Sequence, residues 1–320
     1  MMQMENNLDY SFGPVPSRRL GRSLGINNIP KKFCSYSCVY CQIGKNTCLS
    51  IERQVFYDPG RIFSCVQQRV NAARLKGDQI NYLAFVPDGE PTLDINLGSE
   101  IKALKQLGIP IAVITNASML WQDDVTRELQ NADLVSLKVD AYTEKTWKKI
   151  NMPCKNLDIK KILESIETFS MDFSGKIITE TMILDSVDYH DDLETIPSFL
   201  GTIANLEKAY ISIPTRPPME PWVKPANQDM LKTVFNKFSE VLGFDRVELL
   251  NQYEGNSFSC LGDVEKGLLE IIAVHPMRED AALAYMAKAG LSRGRLKVLD
   301  AEGKIVRKSY LGHVYLCKKD

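Results

Sequence analysis

Three cysteines in one short segment are the residues of this chain best suited to chemistry. Cys34, Cys38 and Cys41 lie in the sequence FCSYSCVYC, with the spacing C-x3-C-x2-C. A structural zinc site normally has four ligands in two separated pairs, whereas this segment supplies three. A [4Fe–4S] cluster also takes four ligands, normally all thiolates, so three thiolates would leave one iron open to a ligand from outside the protein. The spacing favours a catalytic cluster; a zinc loop, or three cysteines without a common role, is the alternative.

At these residues the chain resembles the radical S-adenosylmethionine (SAM) superfamily, and the resemblance includes the aromatic Tyr40 before the last cysteine. It implies that Cys34, Cys38 and Cys41 bind a [4Fe–4S] cluster whose open iron is chelated by the amino and carboxylate groups of SAM. It further implies that an electron from the cluster cleaves SAM and generates a 5′-deoxyadenosyl radical, which abstracts a hydrogen atom. An electron donor such as flavodoxin or ferredoxin is then an expected partner.

The composition is that of an ordinary globular protein. The chain has 320 residues, of which 44% are hydrophobic and 25% charged, and its net charge is −1. That length suggests one large domain, or one large and one small. No apolar run is long enough to span a membrane, and the start, MMQMENNLDYSFG, has no apolar segment typical of a signal peptide. We therefore expect a cytoplasmic protein with no membrane partner, whose eight cysteines are free or metal-bound.

Strands and helices alternate about six times over the first 242 residues. This rhythm predicts parallel strands joined by helical crossovers, and a partial (β/α)6 TIM-like barrel fits the count. The turn-rich segment 10–22, which contains Pro14 and Pro16, is predicted to be irregular. The strands are predicted at residues 23–28, 80–86, 109–115, 132–139, 176–184 and 207–213.

Polar residues follow several of these strands, at the edge where barrel enzymes collect their chemistry. In a radical SAM barrel the motif that corresponds to Gly89, Glu90 and Pro91 engages the amino group of SAM, although its usual first glycine is Asp88 here. A cationic ammonium needs an acceptor, and glycine allows a close backbone approach. Further along the chain, four residues are predicted to bind the ribose or the carboxylate of SAM: Thr115, Asn116, Lys138 and Asp140. Their alternative role is to cap the helices that follow.

Three arginines are candidates for contacts with a substrate. Arg18 and Arg19 lie beside the cysteine segment, and Arg216 follows the sixth predicted strand. The planar guanidinium group suits carboxylates and phosphates, so these residues predict an anion-binding lip. A solvated loop is the alternative for Arg18 and Arg19.

The last 65 residues differ from the preceding repeat. Helices are predicted at 263–274, 279–289 and 291–299, and an alternating hairpin pattern follows around Leu311 and Gly312. Three helices and a hairpin predict a small winged-helix-like domain at residues 256–320, after a barrel domain at 1–255. Its basic residues could dock on phosphates, or could form a solvated surface or a lid: Arg293, Arg295, Lys297, Arg307, Lys308, Lys318 and Lys319.

Four segments narrow the resemblance to the wyosine-synthetase-like branch of the superfamily: PVPSRRLGRSLGIN, FCSYSCVYCQIGK, GEPTL and PTRPP. The wyosine enzyme joins a two-carbon unit from pyruvate to a methylated guanosine of tRNA and carries a second cluster on upstream cysteines. No cysteine precedes Cys34 here, and the pyruvate-binding lysine has no identified counterpart. We therefore do not predict the wyosine reaction itself, but a tRNA base remains the predicted substrate of the radical modification, supported by the basic residues of the C-terminal segment. The alternatives are action on a protein (including glycyl-radical activation) or a small metabolite, and a non-catalytic iron–sulfur regulator that binds nucleic acid.

Overall fold

The computed structural model describes residues 10–86, 88–259, 261–288 and 290–319. Most of the N-terminal segment MMQMENNLDYSFG lies outside these ranges. Cys260 also lies outside them, and so does Ala289, the last residue of a predicted helix. Within them the chain forms thirteen strands: β1 (Ser11–Ser17), β2 (Gly21–Ile26), β3 (Phe33–Cys34), β4 (Cys48–Leu49), β5 (Tyr82–Phe85), β6 (Ile111–Thr115), β7 (Leu134–Lys138), β8 (Lys176–Met182), β9 (Leu206–Ser212), β10 (Val247–Leu250), β11 (Met277–Arg278), β12 (Ile305–Tyr310) and β13 (His313–Lys318).

Ten α-helices occur in the same ranges, and five of them begin at a side-chain cap. In α1, for example, Asp58 accepts a hydrogen bond from the backbone N of Arg61 and Pro59 occupies the first turn, both typical of a helix start. The helices are α1 (Pro59–Leu75), α2 (Leu97–Leu104), α3 (Asp123–Leu129), α4 (Glu144–Asn151), α5 (Ile159–Asp172), α6 (Asp192–Leu200), α7 (Gln228–Leu242), α8 (Val264–Val274), α9 (Glu279–Ala287) and α10 (Arg293–Ala301). None of them is long and apolar enough to cross a membrane.

An eight-stranded sheet forms the centre of the molecule, in the order β1-β2-β5-β6-β7-β8-β9-β10. All neighbours pair in parallel except β1 and β2, which are antiparallel. The sheet curls into an open half-barrel, which confirms the predicted partial TIM-like fold. Because the strands are parallel, their carboxyl ends meet at one edge, and the residues that follow them surround a common space.

Two details of the predicted barrel were wrong. A seventh parallel strand, β10, follows β9, so Arg216 does not follow the last strand; the four-residue VELL is too short to give a clear periodic signal. The segment 10–22, predicted to be irregular, contains β1 and the start of β2. Proline is tolerated in β1 because this strand lies at the sheet edge, where a missing backbone N–H costs no ladder hydrogen bond.

The C-terminal segment contains the three predicted helices and the predicted hairpin. In chain order α8, the short β11, α9, α10 and the β12–β13 hairpin follow one another, and β13 pairs antiparallel with both β11 and β12. This is the element order of a winged helix. Its apolar core also contains Phe12 and Val15 from β1, so the segment packs firmly against the edge of the barrel.

Candidate active site at the carboxyl edge of the sheet

The cysteine segment lies against the turn that follows β5. The backbone N of Glu90 donates to the carbonyl of Phe33 at 3.1 Å, one residue before the first cysteine. A Cβ added to Gly89 would stand 1.8 Å from the same carbonyl oxygen. Only glycine fits there, because any side chain would push the two segments apart. Glycine at position 89 therefore allows the turn to lie directly against the cysteine segment.

Strand ends and helix α4 hold the cysteine loop in place. Asn116, after β6, donates to the thiol of Cys34 at 3.6 Å and to the hydroxyl of Ser35 at 2.8 Å. Asn151, the last residue of α4, donates to the thiol of Cys38 at 3.4 Å. The sequence alone gave no reason to single out Asn151. These two amides fix the orientation of two of the three thiols.

Burial raises the pKa of all three thiols, and in Cys38 it raises the pKa to about 12. The neighbouring carboxylate of Glu90 adds to the effect at Cys34, as that of Asp140 does at Cys38. Such thiols would lose their protons readily to a metal centre, whose positive charge reverses this balance. In the parts of the chain that are described, no group of three His, Cys, Asp or Glu side chains is arranged to hold a single metal ion. Three thiols on one loop suit a [4Fe–4S] cluster, because each would bind a different iron.

Glu90 uses its carboxylate to organise the turn around it. Its Oε1 accepts from the hydroxyl groups of Thr92 and Thr115, both at 2.6 Å, and its Oε2 from the backbone N of Asn116 at 2.7 Å. The carbonyl of Pro91 accepts from Asn28 at 3.2 Å. Both carboxylate oxygens of Glu90 thus have donors within the protein. The contacts predicted between SAM and Gly89, Glu90, Pro91, Thr115 and Asn116 stay predictions.

Asp140, after β7, accepts three hydrogen bonds from the protein. Its donors are the hydroxyl of Tyr40, the amide of Asn151 at 2.7 Å and the backbone N of Met182 at 2.8 Å. Asp140 therefore positions Tyr40, the aromatic residue before the last cysteine. Whether it also contacts SAM stays a prediction.

Lys138, at the end of β7, forms an ion pair with Glu180 of β8 at 3.0 Å. Its ammonium also lies 5.0 Å from the ring centre of Tyr40. Arg19 forms a second ion pair with the same Glu180. Burial alone would raise the pKa of Glu180, but Arg19 and Lys138 outweigh burial and hold that pKa well below its usual range. Glu180 is therefore ionised. It was not identified from the sequence, although a single carboxylate within the strand sequence KIITETM could have indicated a functional residue.

These residues surround a cavity of about 290 Å³. Tyr40 and Cys41 reach it from the cysteine loop, and the walls carry the ends of β7, β8 and β9. All three predicted substrate arginines line it. The polar lining residues are Ser17, Arg18, Arg19, Ser23, Gln42, Lys138, Glu180, Ser212, Thr215, Arg216, Glu254 and His275.

Arg216 ends at a buried cluster formed with Glu254 and His275. The guanidinium of Arg216 pairs with the carboxylate of Glu254 and lies 2.7 Å from Nε2 of His275, which in turn lies 2.8 Å from Glu254. Burial and the charge of Arg216 lower the pKa of His275, so the imidazole is neutral at neutral pH. Neither Glu254 nor His275 was identified from the sequence, since nothing local links residues so far apart.

The C-terminal segment closes the cavity on the side of Arg216. The hydroxyl groups of Tyr310 and Tyr315, in the β12–β13 hairpin, donate to the carbonyls of Pro214 and Thr215 at 2.9 and 2.8 Å. Gln42, next to the last cysteine, donates to the carbonyl of Val274 at 3.0 Å. The segment therefore touches both the barrel strand ends and the cysteine loop.

The basic residues of the C-terminal segment divide into two groups. Arg295 forms an ion pair with Glu265, and Arg307 with Glu279 and Asp300. The remainder are exposed: Arg293, Lys297, Lys308, Lys318 and Lys319. Five of the seven predicted phosphate contacts thus remain open to a partner.

Comparison with known proteins gives both a family and a fold. The model of the radical SAM superfamily matches residues 28–196. A UPF0026 protein of Methanocaldococcus jannaschii is 45% identical over 97% of this chain and 96% of its own length. A UPF0026 protein of Synechocystis is 35% identical over 67% of this chain and 78% of its own length. Among solved structures, a radical SAM methyltransferase from Sphaerobacter thermophilus is similar in fold, with a TM-score of 0.52 and 13% identity over 72% of this chain and 66% of that one.

Proposed function

The chain belongs to the radical SAM superfamily, whose members are enzymes that use a [4Fe–4S] cluster and SAM, and we propose that Cys34, Cys38 and Cys41 are the three protein ligands of that cluster. When bound, the cluster and SAM supply a 5′-deoxyadenosyl radical that abstracts a hydrogen atom from the substrate. One observation carries the proposal. The cysteine loop opens, through Tyr40 and Cys41, onto the same cavity as the ends of the parallel strands.

The residues around the loop serve this function by holding it still. Gly89 allows the turn after β5 to touch the loop, and Glu90 fixes Thr115 and Asn116 beside the first thiol. Asn151 and Asp140 restrain Cys38 and Tyr40. A metal centre bound by side chains on one flexible loop needs such supporting contacts, because they fix the orientation of its ligands. SAM would then bind along the strand ends from Gly89 to Asp140.

For the substrate, we propose a base of tRNA, so that the enzyme is an oxidoreductase or transferase of tRNA modification. In this view residues 256–320 form a winged-helix-like domain on the barrel of residues 1–255. Its exposed basic residues, such as Arg293, Lys297 and Lys308, support contact with an RNA backbone. An electron donor such as flavodoxin or ferredoxin, and a cytoplasmic location, complete the proposal.

A small metabolite is the second candidate substrate. The cavity volume of about 290 Å³ and its closure by Tyr310 and Tyr315 suit a molecule the size of one nucleotide or smaller. A tRNA base would have to be turned out of its stack to reach the site, which costs a few kcal/mol.

The cluster chemistry is tested by anaerobic reconstitution with iron and sulfide, followed by dithionite and SAM. We expect 5′-deoxyadenosine from the unaltered chain, and loss of both the cluster absorbance and the product in Cys34→Ala, Cys38→Ala and Cys41→Ala. Cys317→Ala, at a partly exposed cysteine of the C-terminal hairpin, is the matched control and should keep both. Product formation by a loop variant at the level of the unaltered chain would contradict the assignment.

The tRNA substrate is tested by nucleoside mass spectrometry of tRNA from a strain that lacks the protein. We expect one modified nucleoside to disappear and its precursor to accumulate. An unchanged nucleoside profile would contradict the tRNA proposal and favour the small metabolite.

A further inference from the structure

Two arginines whose charges interact line the cavity. Arg18 lies between β1 and β2, and Arg216 follows β9; both line the cavity. Nη1 of Arg18 donates to the backbone carbonyls of Leu250 and Gln252 at 2.7 and 3.0 Å. The two arginines are close enough that the charge of Arg216 helps to lower the pKa of Arg18, after burial itself.

The charges that line the cavity do not balance. Its cations are Arg18, Arg19, Lys138 and Arg216, and its carboxylates are Glu180 and Glu254. Glu180 pairs with Arg19 and Lys138, and Glu254 pairs with Arg216. Arg18 bonds only to neutral carbonyls among the described residues. The site therefore has an excess of positive charge.

The imidazole of His275 does not change this excess of positive charge. Its imidazole is neutral, because burial and the nearby arginines lower its pKa. In addition, Nε of Arg216 is buried without an acceptor in the described part of the chain. A buried cationic donor without a partner costs free energy, so a ligand that brings an acceptor would be bound favourably.

We propose that Arg18 and Arg216 form a subsite for one oxyanion group of the substrate, a phosphate or a carboxylate. Guanidinium groups suit such a group because their planar forks match its oxygens and their charge is permanent. Arg19 is not part of this subsite, since it pairs with Glu180 and, unlike Arg216, has no buried nitrogen without an acceptor among the described residues. The proposal rests on the proposed function, because it takes the cavity to be the place where the substrate is bound.

Anion binding to the reconstituted full chain tests the subsite. Isothermal titration under anaerobic conditions, with SAM saturating, gives the dissociation constants of inorganic phosphate and of acetate; the tighter of the two identifies the oxyanion. We expect Arg18→Met to weaken that binding by about tenfold or more, the value of a charge-assisted hydrogen bond. Arg18→Lys keeps the charge and a donor for the carbonyls of Leu250 and Gln252, and should weaken it less. Arg127→Met, at an exposed arginine of α3 outside the cavity, should bind as the unaltered chain does.

Three results would overturn the subsite. The first is that the unaltered chain binds neither anion. The second is that Arg18→Met binds the anion as tightly as the unaltered chain does. The third is that Arg127→Met weakens binding as much as Arg18→Met does. Competition between the anion and SAM would also overturn it, because the arginines would then hold the carboxylate of SAM. Formation of 5′-deoxyadenosine in the same samples separates the two proposals: product without anion binding removes the subsite alone, whereas anion binding without product removes the proposed radical chemistry.

Discussion

Two sets of buried carboxyl groups differ in the direction in which their surroundings shift the pKa. The cavity carboxylates, Glu180 and Glu254, are bonded to cations that hold the pKa of each well below its usual range in spite of burial. The turn carboxyls, which are Glu90 and Asp94 after β5 together with Glu100 of the following helix α2, all have a pKa raised by burial. For Asp94 the value is about 6, and for Glu100 it is about 9, with the charge of Asp94 as the second cause.

The difference between the two sets is their partners. Arg19, Lys138 and Arg216 meet the cavity carboxylates directly. Among the turn carboxyls, by contrast, Asp94 and Glu100 are neighbours. Each has a carboxyl oxygen without a hydrogen-bond donor in the described part of the chain. Two adjacent buried carboxylates repel each other, and this repulsion adds to burial in keeping a proton on Glu100. The cavity thus keeps its charges for a polar ligand, whereas among the turn carboxyls Glu100 keeps its proton at neutral pH.

The largest expected effect comes from removing a cavity carboxylate. Glu180→Gln takes from the partly buried Arg19 and Lys138 the carboxylate that they share, and breaking a buried pair in this way costs about 3–5 kcal/mol. Anaerobic urea unfolding would measure the loss. The control is Glu207→Gln, which breaks the exposed pair with Lys176 across neighbouring strands and should cost under about 1 kcal/mol. Equal costs for the two variants would remove the distinction between buried and exposed pairs.

A smaller effect is expected in the turn, and it depends on pH. Between the ordinary pKa of a glutamate and about 9, the folded chain keeps the proton on Glu100 while the unfolded chain has released it. Stability therefore falls as the pH rises, by on the order of 1.4 kcal/mol per pH unit for one proton. Glu100→Gln removes this proton and should flatten the decline between pH 7 and 8.5, above the range in which Asp94 titrates.

Urea unfolding at three pH values would measure that slope. Glu164→Gln, at an exposed position of α5, should keep the slope of the unaltered chain. A slope that is the same in Glu100→Gln and in the unaltered chain would mean that the turn does not hold a proton.

The smallest effect is expected at His275. Here stability falls as the pH drops, whereas at Glu100 it falls as the pH rises. Its pKa is lowered in the folded state, so the unfolded chain takes up a proton first and stability falls as the pH drops below about 6.5. His275→Gln loses about 1 kcal/mol at pH 7.5, where one hydrogen bond is lost, but should lose less at pH 5.5. A penalty that grows on acidification would show that His275 is protonated when folded.

Most of the local structure followed from the sequence, and the reasons are local. Helix α1, for example, has an aspartate cap, a proline in its first turn and an apolar stripe that includes Ile62 and Val66, all of which are visible in the sequence. The predicted partial barrel is confirmed because strand and helix periodicity alternate clearly. The errors occurred where this signal fails: β10 is short, and β1 contains prolines that only a sheet edge tolerates.

In the candidate site, too, some features followed from the sequence and others only from the fold. The sequence by itself determined the three cysteines, Tyr40, Gly89 and the arginines of the cavity, because spacing and residue type are local properties. Only the tertiary structure decided which charges meet. Arg19 and Glu180 are 161 positions apart, and Arg216 and His275 are 59; these pairs arise from the order of strands in the sheet and from the docking of the C-terminal segment. Ionisation depends on such neighbours, so the charge of each buried carboxyl could be assigned only after folding had placed its partners.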